Sequence, residues 1–201
     1  MGGRSRVAAQ MLAGKGFKQV YNVSGGIKAW KSKTAVGPQT SGMDLFQGPE
    51  TAKEFLVIAY SLEQGLQEFY LEMAGKARND AVKDLFHKLA DIEVKHKDQV
   101  FERYQGMVDP EISRERFESM VTVSALEGGL TTKQYLDQFD PDLSVETEVV
   151  SMAMSIEAQA LDLYQRVAGQ VTDPDALNVL QQIAKEEQQH LERLGKLMDT
   201  L

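Results

Sequence analysis

The chain contains no cysteine among its 201 residues. This absence excludes disulfides, thiolate zinc sites, cysteine-ligated iron–sulfur or rubredoxin centres and any cysteine nucleophile within these residues. Long apolar runs are missing as well: the stretch 55–60 is far shorter than the roughly 20 residues that a membrane-spanning helix needs. We therefore expect no membrane association, and a metal bound by these residues would need oxygen and nitrogen ligands.

Basic side chains are in deficit, with 22 Lys and Arg against 30 Asp and Glu and a net charge of −8. Binding of nucleic acid needs clustered Lys and Arg, so no nucleic-acid partner is predicted. The N-terminus has neither the continuous apolar core nor the cleavage site of a secretory signal, which predicts a cytoplasmic protein. The length suits one well-buried domain with a smaller appendage.

The sequence divides into three parts. Residues 1–36 are Gly-rich with short-period patterns, residues 37–48 contain Gly37-Pro38 and are typical of a linker, and residues 49–201 carry long helical patterns. Apolar spacing and helix-start signals predict helices over about 49–77, 80–106, 145–169 and from 174 nearly to the C-terminus. Short turns make each pair an antiparallel hairpin, and residues 107–143 form a long connection. The prediction is an all-α four-helix bundle with a central crossover.

A duplicated motif dominates the helical part. Two Glu-x-x-His tetrads begin at Glu93 and Glu187, and each follows a single glutamate, Glu63 or Glu157, by 30 residues. The complete set therefore repeats with one offset of 94 residues, and two of the three histidines, His96 and His190, belong to it. The candidate site consists of four carboxylates and two imidazoles in two matching halves.

The spacing of the motif suits metal binding. Residues three apart on a helix lie on one face, one turn apart. A single tetrad is common on solvated helices, and a duplicated bundle with merely exposed polar repeats is the alternative. However, the glutamates share the apolar stripes, where buried carboxylates repel one another unless they are protonated or neutralised by cations. Carboxylate and imidazole suit iron, manganese or zinc, and four carboxylates would balance two divalent ions.

This pattern resembles the dimetal site of ferritin-like carboxylate proteins, in which two helices each supply a glutamate and two supply Glu-x-x-His. Residues 63–70 and 90–96 are most similar to the rubrerythrin branch, and the resemblance covers about residues 51–197. It implies a ferritin-like bundle with a di-iron centre, in which the glutamates of the two tetrads are candidates to bridge the metals. The implied ligands are Glu63, Glu93, His96, Glu157, Glu187 and His190.

Two departures from rubrerythrins narrow the implied function. Those proteins carry a cysteine-ligated rubredoxin domain that feeds electrons to the site, whereas this chain has no cysteine. They also carry a further carboxylate on the third bundle helix, where this chain has Ala160, one turn after Glu157. The resemblance therefore implies the di-iron bundle alone, supplied by an external donor such as a rubredoxin-like carrier.

Three further residues are candidates to support the ligands. Tyr70 and Tyr164 follow Glu63 and Glu157 by seven residues and lie nearly on the same stripe, so they could hydrogen-bond to ligand carboxylates. A core role elsewhere is the equal alternative. Glu186 could orient His96, with a solvated role as its alternative. The third histidine, at position 87, is predicted to face away and to be no ligand.

The amino-terminal part resembles a different family. Residues 2–6, 16–17 and 20–30 are similar to the final part of a rhodanese-like sulfurtransferase domain. In that family the catalytic cysteine lies just before the Gly-Gly-Arg-Ser loop, which begins here at Gly2. We therefore expect a truncated rhodanese-like segment without sulfurtransferase activity.

Together these features predict an oxidoreductase that reduces peroxide or dioxygen at two iron ions, with manganese or zinc as substitutes. A non-catalytic bundle that binds or senses iron, and a structural bundle with a vacant site, are the alternatives. The sequence leaves the oxidant, the donor and the choice between monomer and homodimer open.

Overall fold

A computed structural model describes residues 42–46, 50–121, 125–126, 129–139 and 141–201. The predicted rhodanese-like segment, residues 1–36, lies outside this part of the chain. Throughout the described ranges the regular structure is helical, without strands. None of the helices described is long and apolar enough to cross a membrane.

Four long helices form a bundle of two hairpins, as predicted. Helices α1 (Ala52–Lys76) and α2 (Asp80–Met107) pack against each other, as do α5 (Glu146–Ala168) and α6 (Pro174–Met198). Contacts of α1 with α6 and of α2 with α5 join the two pairs. Connections of residues 77–79 and 169–173 make each pair antiparallel. The described part of the crossover carries two short helices. In chain order the helices are α1 (Ala52–Lys76), α2 (Asp80–Met107), α3 (Arg114–Glu118), α4 (Thr132–Phe139), α5 (Glu146–Ala168) and α6 (Pro174–Met198).

Local capping sets where the helices begin. The α1 helix starts near the predicted position because Thr51 and Glu54 form a reciprocal capping box. The Thr51 amide donates to Glu54 Oε2 at 2.8 Å, and the Glu54 amide donates to Thr51 Oγ1 at 3.4 Å. Asn79 and Asp173 cap α2 and α6 by accepting backbone N–H bonds, as their positions in the sequence predict.

The apolar core falls into two clusters. The first core surrounds the α1–α2 turn and the second core surrounds the α5–α6 turn, at opposite ends of the bundle. On α1, Leu62 belongs to the second core and Leu66 to the first, with Glu63 between them. On α5, Ile156 belongs to the first core and Ala160 to the second. The predicted ligands therefore form a polar layer across the middle of the bundle.

Gly65 allows the crossover to approach α1 closely. A Cβ atom at this position would lie 2.2 Å from the carbonyl oxygen of Ala125, which is well inside van der Waals contact. The absent side chain lets the backbone of the crossover rest on the helix two residues after Glu63. A glycine thus positions the crossover beside the polar layer.

Candidate metal centre

All six predicted ligands are buried, and every long helix contributes at least one of them. Their exposed fractions range from 1% for Glu93 to 6% for His190. The α1 helix supplies Glu63 and α5 supplies Glu157, while α2 and α6 each supply one tetrad. Burial of four carboxylates in one layer is costly without a compensating charge.

The side chains form two triads. In the first triad, His96 Nδ1 lies 2.6 Å from Glu93 Oε2 and 3.4 Å from Glu63 Oε2. In the second triad, His190 Nδ1 lies 3.2 Å from Glu187 Oε2 and 3.3 Å from Glu157 Oε2. Within each triad the three ligand atoms lie within 4.8 Å of one another, close enough to surround one ion.

Stacked imidazoles place the two triads side by side. The rings of His96 and His190 have centroids 3.6 Å apart and planes within 4° of parallel. These histidines are held on α2 and α6, so the contact also joins the two hairpins. The duplication seen in the sequence thus becomes a single site with two similar halves.

Electrostatic interactions connect the halves. Burial raises the pKa of Glu93 well above its usual value, and the charges of Glu63 and Glu157 raise it further. Burial also raises the pKa of Glu157, but hydrogen bonding and charge from His190 outweigh it and the net shift is downward. For His96, burial lowers the pKa, whereas the carboxylates of Glu63 and Glu157 produce a net upward shift. In this layer the glutamates repel one another and are attracted to a protonated histidine. A bound cation would neutralise the same carboxylates and take the place of that protonated histidine.

The donor atoms fit a divalent metal. Within the described part of the chain, Glu63 Oε2 and His96 Nε2 are buried without a hydrogen-bond partner, and the 3.4 Å approach of Glu63 to His96 Nδ1 does not satisfy that oxygen. Each triad offers carboxylate oxygen and imidazole nitrogen, a donor set suited to iron, manganese or zinc. The layer can therefore hold one ion in each half.

Glu186 has a partner other than the predicted His96. Its Oε1 accepts a bond from Arg103 Nη2 at 2.6 Å, and its Oε2 accepts one from Arg103 Nη1 at 3.2 Å. Because successive residues on a helix are about 100° apart, Glu186 points away from the direction of Glu187, towards the guanidinium on α2. Sequence reasoning missed Arg103, since its counterpart 94 residues later is Leu197 and the repeat gives no signal there.

The remaining candidates take up core and surface positions. Tyr70 is buried in the first core and Tyr164 in the second, and their bonds to ligand carboxylates stay a prediction. The histidine at position 87 is exposed on α2, as expected of a residue that is no ligand. Ala160 is fully buried in the second core. The position one turn after Glu157 therefore contributes an apolar side chain to the core rather than a carboxylate.

Four helices around two buried carboxylate–imidazole triads define the class of ferritin-like bundle proteins with a site able to hold metal ions. Residues 54–198 match the family model described as Rubrerythrin, and the chain belongs to the rubrerythrin family. No curated protein and no solved structure matches the chain.

Proposed function

We propose that the protein is a di-iron oxidoreductase that reduces peroxide or dioxygen. The observation that carries the proposal is the pair of buried triads joined by stacked imidazoles. The proposed ligands are Glu63, Glu93 and His96 for one ion, and Glu157, Glu187 and His190 for the other. Membership of the rubrerythrin family supports iron as the metal, and manganese and zinc share the same ligand preferences.

Charge balance supports two divalent ions. Four ionised glutamates carry four negative charges, which two divalent cations neutralise within a buried layer. Two Fe(II) ions held there would supply the two electrons with which hydrogen peroxide and two protons become two waters. The residues bind and orient the ions, and their burial between two apolar cores keeps bulk water away.

An external protein must return the electrons under this proposal. The 201 residues contain no cysteine, so a rubredoxin-type centre cannot be formed from them. We propose a one-electron carrier of the rubredoxin class as the donor. For the amino-terminal segment that resembles a rhodanese, no sulfurtransferase activity is proposed.

Titration of metal-free protein with Fe(II) under anaerobic conditions tests the site. The expected result is saturation at two equivalents, followed by near-ultraviolet absorption changes when peroxide or air is added. The variant His190→Ala should lose binding in one half, whereas His87→Ala removes an exposed histidine and should leave both equivalents bound. Failure of the wild-type protein to bind Fe(II) would contradict the proposal.

A non-catalytic iron-binding or iron-sensing bundle is the second candidate, and the absence of cysteine favours it. Because these 201 residues contain no cysteine with which to build a rubredoxin-type donor, oxidation of the bound metal would be a single event unless a carrier is supplied. Repeated consumption of peroxide with a supplied reductant distinguishes the two functions. An oxidoreductase continues through many cycles, whereas a binding or sensing protein stops after one.

A further inference from the structure

Tyr60 is a fully buried phenol that is linked directly to a half-exposed carboxylate. It lies on α1 with 0% of its surface exposed, and its hydroxyl donates to Glu118 Oε1 on α3 at 2.5 Å. The Glu118 side chain is 44% exposed. Arg114 Nη1 donates in turn to the phenol oxygen at 3.3 Å. A proton leaving Tyr60 therefore has an acceptor that is in contact with solvent.

The Tyr60 residue lies one helical turn before the first ligand of the first triad. Tyr60 precedes Glu63 by three residues, a spacing that places Cβ atoms about 5–6 Å apart on a helix. Lys97 follows the ligand His96 directly, and its Nζ lies 5.4 Å from the centroid of the Tyr60 ring. The ring is therefore adjacent to the ligand-bearing stretches of both α1 and α2.

The other half of the molecule has no equivalent phenol. The counterpart of Tyr60 after the offset of 94 residues is Met154, which is fully buried and apolar. The fold thus accepts an unbranched apolar side chain at this position of the repeat. At this position of the repeat, a hydroxyl with a carboxylate partner occurs in the Glu63 half, where the other half has a thioether, and this difference calls for an explanation beyond packing.

We propose that Tyr60, with Glu118 as its proton acceptor, is a one-electron donor that completes the reduction of peroxide when the metal centre holds a single reducing equivalent. The inference rests on the proposed di-iron function. Tyr60 gives up one electron, its O–H bond breaks and the proton passes to Glu118. Together with one electron that a bound Fe(II) would supply, that electron would suffice to convert hydrogen peroxide and two protons from solvent into two waters.

Recovery of the phenol reverses the transfer. A one-electron protein carrier reduces the neutral phenoxyl radical, while Glu118 returns the proton and the O–H bond forms again. Over the whole cycle the carrier replaces the electron that Tyr60 donated, and Glu118 returns to its original protonation state. The reaction needs no reagent other than peroxide, iron and the carrier already named.

The direction of the hydrogen bond favours electron donation over proton delivery to the metals. The single phenolic proton is directed at Glu118 rather than at a ligand. Burial and the bond to Glu118 raise the pKa of Tyr60 to about 12, so the phenol is neutral at physiological pH. Loss of an electron is then coupled to loss of the proton, and a carboxylate at hydrogen-bond distance is already in place to receive it.

Freeze-quenched electron paramagnetic resonance tests the proposal. Protein loaded with one equivalent of Fe(II) is mixed with one equivalent of hydrogen peroxide, and a phenoxyl signal that changes on labelling with ring-deuterated tyrosine is expected. Tyr60→Phe should abolish the signal. Glu118→Gln preserves a hydrogen-bond acceptor but cannot take the proton, so the rate of radical formation should fall about 100-fold.

Tyr104→Phe is the matched control, because Tyr104 is buried and packs against Phe117, the same ring that contacts Tyr60. This variant should keep the full signal. A signal that survives Tyr60→Phe, or its absence from wild-type protein that still consumes peroxide when fully loaded, would overturn the inference alone. Wild-type protein that binds Fe(II) but never consumes peroxide would remove both the inference and the proposed function.

Discussion

At the scale of single residues, the candidate centre consists of side chains whose burial is unfavourable without charge compensation. Glu93 on α2 and Glu157 on α5 both lie in the buried layer, but their pKa values shift in opposite directions. Glu93 experiences burial and repulsion from other carboxylates, whereas contact with His190 outweighs burial at Glu157. These two glutamates therefore make different contributions to the stability of metal-free protein.

Substitution by neutral glutamine should change the free energy of unfolding in opposite directions at the two glutamates. Without metal, Glu93→Gln should raise the free energy of unfolding by about 1 kcal/mol, because a group whose ionised form is disfavoured becomes neutral. Glu157→Gln should lower it by about 1 kcal/mol, since a charge-assisted contact with His190 is weakened. Urea denaturation with chelator present measures both. Equal changes of the same sign would contradict the electrostatic account.

Tyr60 belongs to the residue scale as well. Its distinction from Met154 depends on polar contacts made by α3, a five-residue helix in the crossover, whose Glu118 and Arg114 both bond to the hydroxyl. The aromatic ring would pack in the second core with or without that contact. Only the hydroxyl group requires Glu118, which is why the proposed electron transfer can be tested by removing one oxygen atom.

At the scale of helices, capping and close approach determine how each element is positioned. Two capping boxes of the same design differ in one chemical respect. Glu54 completes the box of α1 and titrates, whereas Gln134 completes that of α4 and does not. Hydrogen bonds from the Thr51 backbone and side chain lower the pKa of Glu54.

The cap of α1 should therefore weaken in acid. Thr51→Ala should cost about 1 kcal/mol at neutral pH. A carboxyl group whose pKa is lower in the folded than in the unfolded state stabilises the fold when the pH is above the unfolded-state pKa. That stabilisation is lost as the pH falls through the folded-state pKa. The difference between wild type and Thr51→Ala in urea denaturation should thus narrow below the usual pKa of 4.5. For Thr131→Ala, the control, the difference should stay constant with pH.

Gly65 gives a second prediction for an element. Alanine at Gly65 would place its methyl group against the Ala125 carbonyl, so the crossover must move away from α1. We expect a loss of about 1–3 kcal/mol, as for other overpacked sites. Gly75 lies in the same helix with no atom within 4 Å of its added Cβ, and Gly75→Ala should stabilise by up to about 1 kcal/mol. Urea denaturation of both variants checks the contrast.

At the scale of the whole molecule, the polar layer lies between two apolar clusters, and each cluster contains residues from both hairpins. Each triad draws its ligands from one hairpin: α1 and α2 supply the first, and α5 and α6 the second. Stacking of His96 on His190 and the ion pair of Arg103 with Glu186 cross between the hairpins. Metal binding should therefore stabilise each hairpin and the layer that connects them.

Removal of metal should lower the stability of the entire bundle. A ligand that binds only the folded state at 100 times its dissociation constant adds about 2.7 kcal/mol. Calorimetric melting of Fe(II)-loaded protein under anaerobic conditions, with and without chelator, measures this difference. His96→Ala and His190→Ala should each lose about half of the gain. A melting temperature independent of Fe(II) in the wild-type protein would contradict metal binding at this layer.

The sequence by itself determined the all-helical bundle, the helix limits within a few residues and the six candidate ligands. Periodicity, capping residues and a repeat of fixed offset are local or one-dimensional signals, and each can be read without coordinates. The predicted limit near Pro49 lies three residues before the observed start at Ala52, where Thr51 and Glu54 form the capping box. The repeat brings both tetrads into the buried layer because duplicated helices present the same face to the core.

Only the tertiary structure decided which side chains meet across helices. Stacking of the imidazoles, the pairing of Glu186 with Arg103 and the bond from Tyr60 to Glu118 join residues between 58 and 94 positions apart. No spacing rule encodes these contacts, because they depend on the relative orientation of the two hairpins and on the packing of the crossover against α1. The repeat is symmetric in sequence, whereas its surroundings are not, and that difference emerges only when the chain is folded.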